Sequence, residues 1–215
     1  MLPPPYDRKR AATELAEAHP GLGETIAAVG PCTLTIREDD TLPALVRSIT
    51  YQQLSGKAAA TIHGRLLGLL GRTPTAEAIA ATSDEALRAC GLSRAKTAAL
   101  RDLAVRALRG DVPPREDLLE LHDDEVVRLL SEVRGVGEWT AQMFLMSVLG
   151  RPDVWPVGDL GVREGWRIVS RSPTRPTPAE LADAGAVLRP WRSVAAWYLW
   201  RAVDLERDPD RLGTG

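Results

Sequence analysis

Apolar residues in this chain return at helical intervals almost from end to end. In "LPALVRSITYQQL" they stand at Leu42, Leu45, Val46 and Ile49, the i, i+3, i+4, i+7 spacing that gives a helix one buried face. Ser55 reads as the cap of "GKAAATIHGRLLGLL", because its hydroxyl can take one of the amides a first turn leaves bare. Further helices are predicted from about Thr75, from Ser83 with Gly91 as its stop, and over Ser93–Arg109. Others follow around Glu116–Leu121 and Asp123–Ser131, and near Leu160–Val169, Pro178–Leu188 and Trp191–Leu205. The first is predicted from Tyr6 to His19, ended by "HPGLG". Only "CTLTI", Cys32–Ile36, resembles a strand. Short connectors such as "GDVPP" and "GRPDVWPVGD" separate these segments, so the expected class is all-α.

A chain of 215 residues makes one compact unit or two small lobes with a real core. Its 44% apolar and 26% charged content is that of an ordered globular protein. With 27 basic against 29 acidic residues the net charge is −2, which argues mildly against duplex binding. Amides at helix starts, however, hold phosphate without any lysine. No apolar run reaches the ~20 residues of a membrane span, and "MLPPPYDRKRAA" has no apolar leader core. Cys32 and Cys90 are too few for a disulfide framework, and His19, His63 and His122 lack metal-ligand spacing. A reduced, cytoplasmic setting is expected, associated with the nucleoid if the source is bacterial, with no membrane partner.

The segment "DDEVVRLLSEVRGVGEWTAQMFLMSVL" reads as helix, glycine turn, helix, about residues 123–149. Gly135 and Gly137 permit positive φ and leave the turn bare. The amides of Gly135, Gly137 and Thr140 would then face outward at a positive helix end, suited to a DNA phosphate. A plain helix–helix turn accounts for the same glycines, and spacing alone does not separate the two.

Joined to "WPVGDLGVREGW" downstream, "VRGVGEWTA" resembles the helix-hairpin-helix, glycine/proline-aspartate superfamily of DNA glycosylases. "YQQLSGKAAA" resembles the segment these enzymes push into the duplex, and "PWRSVAAWYLW" their last helix. The resemblance spans roughly residues 42–205, and the nearest group is the alkylbase enzymes, DNA-3-methyladenine glycosylase II. Arg134 stands where family hairpins usually carry proline, and there is room for only a short remnant of the β-rich N-terminal domain of larger relatives. The resemblance implies a two-lobed helical fold with a cleft between the lobes. Its parts would be an N-terminal helix and remnant over 1–40, a lobe over 41–151 ending in the hairpin, and a C-terminal lobe over 152–215.

The implied activity is removal of alkylated bases, 3-methyladenine and other methylated purines, from double-stranded DNA by a monomeric, monofunctional glycosylase. Asp159 matches the catalytic aspartate, which would stabilise positive charge on the sugar and orient or activate water; it also fits a plain helix cap. Trp139 sits where bifunctional relatives carry a Schiff-base lysine, and the three lysines of this chain, Lys9, Lys57 and Lys96, all lie outside the hairpin. Trp139, Trp200, Met143 and Leu160 match the base pocket, whose aromatic wall suits cationic purines; Trp191 matches a packing position. Gln53 matches the wedge that fills the vacated base position, with Gln52 as its support. The main-chain carbonyls of Ser131, Val133 and Val136 match a monovalent-cation site. No cofactor is required, and the tail lacks the cysteines of the iron–sulfur cluster in some relatives. Two other readings remain open: a non-catalytic helix-hairpin-helix DNA-binding module, and a glycosylase for oxidised or mismatched bases.

Overall fold

Side chains of Ser, Thr, Asp and His residues cap most of the helices, among them those that follow Asp7, His19, Asp40, Ser55 and Thr177. The computed structural model describes residues 1–208, and its helices gather into two compact units. One comprises Met1–Arg37 with the chain from Leu145 onward, the other Glu38–Phe144.

In the first unit Asp7 caps α1 (Arg8–Ala18), its Oδ1 accepting from the amides of Lys9 and Arg10 at 2.9 and 3.1 Å. "HPGLG" ends α1, as the sequence reading expected, with His19 as the C-cap; the same stretch also begins α2 (Pro20–Val29), a helix that reading did not predict. His19 Nδ1 accepts from the amide of Leu22 at 3.2 Å, and Pro20 occupies a first-turn position where its missing N–H has no consequence. The strand expected at Cys32–Ile36 is absent: a single antiparallel bridge joins Leu2 to Ile36. An alternating pattern makes a strand only where a second segment supplies a ladder, and Met1–Pro5 supplies one rung.

The second unit holds α3 (Thr41–Tyr51), α4 (Gly56–Leu70), α5 (Ala76–Ala81), α6 (Asp84–Ala89), α7 (Arg94–Arg109), α8 (Arg115–Leu119), α9 (Asp123–Ser131) and α10 (Glu138–Phe144). Ser55, Thr75, Ser83 and Ser93 cap α4 to α7 with side-chain oxygens, as their positions predict. α7 is the scaffold of this unit, packing on α3, α5 and α6. Leu45, Val46, Ile49, Leu66, Ile79, Leu100 and Leu103 are fully buried in its core.

The helical run then changes register. Residues Leu145–Leu149 form a π turn, and the boundary between the units falls at this junction rather than near residue 151. The π turn is tied to the N-terminal segment: the Arg37 amide donates to the Ser147 carbonyl at 2.8 Å, and the Arg37 guanidinium to the Ser147 hydroxyl at 3.1 Å. α11 (Leu160–Val169), α12 (Pro178–Ala184), a 3-10 turn (Gly185–Leu188) and α13 (Arg192–Arg207) complete the first unit. α13 is its central helix, touching α1, α2 and α11. Trp191 packs at its start, its ring 5.9 Å from that of Tyr6 and its Nε1–H donating to Glu14. Among the described residues no helix is long and apolar enough to cross a membrane.

The His19 cap carries a pH signature. Accepting at Nδ1 requires the neutral imidazole, and burial pushes the His19 pKa below its ordinary 6.5. The unfolded chain therefore takes the proton more readily, so this contribution is fully present above about pH 6.5 and is lost as the pH falls below it. His19→Asn keeps a capping side chain without the titration. Its melting temperature is expected to vary less than that of the wild type from about pH 7.5 to about pH 5, which thermal melts across that range would read.

Candidate active site

The connector before α11 is fixed at several points. Asp153 accepts from the Arg192 Nε and Nη2 at 2.7 and 2.8 Å and from Arg189 at 2.9 Å. The Ser193 hydroxyl donates to the Arg151 carbonyl at 2.7 Å and accepts from the Val154 amide at 3.0 Å. The buried Trp155 indole donates to the Leu181 carbonyl at 2.9 Å. This clamped segment delivers Asp159 to the N-cap of α11.

Asp159 Oδ1 accepts from the Val162 amide at 2.7 Å, the capping bond, and from the Trp200 Nε1–H at 3.0 Å. The second bond requires α11 and α13 to approach closely. At Gly165 a Cβ would lie 2.2 Å from the Leu199 carbonyl oxygen, so the two backbones touch. At Gly161 it would lie 2.8 Å from Trp200 Cδ1, so the indole rests on bare backbone beside the carboxylate. Asp159 and Trp200 are both partly buried, and the intervening Leu160 is 62% exposed. A carboxylate is thus held between a positive helix end and an indole N–H.

The hairpin of the second unit is built differently. Between α9 and α10 Gly135 takes φ +79°, while Gly137 does not adopt the positive φ that the sequence reading allowed it. The turn needs one left-handed residue, supplied by Gly135, and Gly137 precedes α10 with open space at its Cβ position. Among the described residues the amides of Gly135 and Gly137 donate to no protein carbonyl. The side chain of Thr140 is buried, and its amide lies in the first turn of α10, where intrahelical acceptors are lacking. The Val133 carbonyl accepts from the Val136 amide at 2.9 Å, whereas no backbone N–H donates to the carbonyls of Ser131 or Val136 among the described residues. All three carbonyls thus keep lone pairs to spare at this turn.

Gln52 is the C-cap of α3, and Gln53 follows it. Gln53 takes φ +55° and is exposed, with Leu54 exposed after it; Gln52 is turned inward, and its Nε2 donates to the Gly135 carbonyl at 2.7 Å. Three residues of α7 that sequence reasoning passed over hold this region. Lys96 Nζ donates to the carbonyls of Thr50 and Gln52 at 2.8 and 2.7 Å. Ala99 packs against Gly135, and Asp102 Oδ2 accepts from the Arg134 amide at 2.8 Å. One signal was legible. Lys96 stands in the first turn of α7, where a cation opposes the helix dipole unless something outside the helix compensates it. Trp139, 47% exposed, and the partly buried Met143 belong to α10 of this unit, whereas Asp159, Leu160 and Trp200 belong to the other.

Residues 46–190 match the family model described as "HhH-GPD superfamily base excision DNA repair protein". The chain is 36% identical over 163 residues to DNA-3-methyladenine glycosylase 1 of Schizosaccharomyces pombe, covering 75% of this chain and 72% of that relative. The structure of a 3-methyladenine DNA glycosylase from the same yeast, in complex with abasic DNA, superposes with a TM-score of 0.81 at 31% identity, covering 89% of this chain and 95% of that one. A DNA-3-methyladenine glycosidase from Bacillus halodurans gives 0.82 at 31% identity, covering 92% and 91%.

Proposed function

The chain belongs to the HhH-GPD superfamily of base excision DNA repair proteins, and from that premise we propose that it is a monofunctional glycosylase that releases alkylated purines of the 3-methyladenine type from duplex DNA. The observation that carries the reading is the Asp159 carboxylate, held by the Val162 amide and the Trp200 indole at 2.7 and 3.0 Å. Fixed negative charge of this kind stabilises the cationic sugar that forms as the C1′–N bond breaks and its electron pair leaves with the base. Water then bonds to C1′ and gives up a proton, with Asp159 orienting it as general base. A hairpin without lysine offers no amine to attack C1′, so the product is an intact strand with an abasic site.

The remaining roles follow the same reading. Leu160 and Trp200 flank Asp159 in one unit and Trp139 and Met143 belong to α10 of the other; the sequence matches all four to base-contacting positions, and electron-rich indoles favour a cationic methylpurine over a neutral base. Gln53, exposed in a left-handed turn, takes the place of the extruded base, and Gln52 ties that turn to the hairpin. Gly135, Gly137 and Thr140 offer amides to a phosphate of the bound strand. The carbonyls of Ser131, Val133 and Val136 would hold a monovalent cation, which when bound adds positive charge beside that phosphate. The names of the similar glycosylases support the substrate class.

Incubation with duplex DNA carrying radiolabelled methyl groups tests the reading. Free methylpurines are expected in solution, with 3-methyladenine among them. Undiminished duplex binding with no released base would overturn it in favour of a non-catalytic DNA-binding module.

A further inference from the structure

The two DNA-facing elements of the second unit, the Gln52–Gln53 turn and the hairpin, meet on one face of α7. Lys96, Ala99, Asp102 and Arg106 follow one another at intervals of three or four residues, which places them along one side of the helix. Lys96 holds the end of α3, Ala99 lies under Gly135, and Asp102 binds the Arg134 amide while Arg106 pairs with Asp102 at 3.0 Å. Gln52 closes the circuit through its bond to the Gly135 carbonyl.

The chemistry at Lys96 is unusual for a surface helix. α3 ends at Tyr51 and leaves its last carbonyls without intrahelical donors at the negative end of the helix. The ammonium takes the Thr50 carbonyl and reaches past the helix end to that of Gln52. Among the described residues no carboxylate pairs with it, and burial lowers its pKa. An ammonium kept in such a place, bonded on both sides of residue 51, fixes the direction in which the chain leaves α3. The next residue, Gln53, is a non-glycine in the left-handed region, a conformation that costs about 1 kcal/mol and persists only where its surroundings impose it.

We propose that Lys96 is a positioning residue for base extrusion: by gripping the carbonyls of Thr50 and Gln52 it imposes the turn that projects Gln53 into the duplex. This rests on the glycosylase reading above, and Lys96 acts through Gln53 without touching DNA. Two readouts separate it from a general structural role. The first does not depend on activity. Lys96→Met is expected to speed amide hydrogen exchange in residues 51–58 while leaving the rest of α7 protected; unchanged exchange in that peptide would overturn the holding role even if the wild type released no base.

The second is a double-mutant cycle read as single-turnover release from methylated duplex DNA. Lys96→Met and Gln53→Ala are each expected to slow release about tenfold, the scale of one charge-assisted hydrogen bond, and the double variant no further than the slower single one. Lys96→Arg, which keeps a cation and its donors, is expected to recover most of the rate and serves if Lys96→Met folds poorly. Losses that multiply in the double variant would overturn the inference. So would normal release by Lys96→Met, or by Gln53→Ala, beside an active wild type.

Discussion

Asp159→Asn is expected to lower base release at least about a hundredfold, the usual scale for losing a group that stabilises transition-state charge. The fold should survive the change. Asparagine caps helices as well as aspartate does, and its Oδ1 can accept from the Val162 amide and the Trp200 indole as the carboxylate now does. The variant would then differ from the wild type in one respect, the absence of a full negative charge at the sugar. Binding to a duplex with an abasic site should be retained, because the hairpin and the Gln52–Gln53 turn belong to the other unit. Single-turnover release, a melting curve and a binding titration together check this. Loss of folding, or release at the wild-type rate, would remove Asp159 from the chemistry.

The largest expected effect on stability lies at Tyr198. Its side chain is fully buried in α13, and its hydroxyl donates to the Gly30 carbonyl at 3.0 Å, joining the central helix to the end of α2. Burial pushes its pKa up to about 12, so the phenol stays protonated and remains a donor at any ordinary pH. Tyr198→Ala leaves a cavity of aromatic size and an unpaired carbonyl, and is expected to cost about 3–5 kcal/mol. For a chain of this length that is a fall in melting temperature on the order of 10 °C. Tyr198→Phe keeps the ring and loses the hydrogen bond, so about 1–2 kcal/mol is expected. Thermal melts of both variants check the pair; equal losses would mean that the hydroxyl, rather than the ring, holds α13 in place.

What the sequence made legible follows the range of the interactions. Ser55, Ser83, Ser93 and Asp159 cap helices through amides three residues away, so their roles can be read locally. The same locality told only half of "HPGLG": it ends α1 as expected, but His19 and Pro20 also satisfy the start of α2. It misled at "CTLTI", whose alternation has a single bridge to pair with. In the site, Asp159 was recognisable from its cap position and its distance from the hairpin. Its bond to Trp200 spans 41 positions, and that of Gln52 to Gly135 spans 83, so neither leaves a mark in local spacing. Lys96 was overlooked because its partners are backbone carbonyls, which any sequence supplies.

Supercoiled plasmid treated with a methylating agent offers the most direct trial of a water-using, Asp159-dependent glycosylase. After incubation with the wild-type protein the plasmid should stay supercoiled, and brief hot alkali should then nick it at the abasic sites left behind. Nicking before alkali would reveal an attacking amine that the account denies. A plasmid as resistant to alkali as an untreated control would show that no base had been removed.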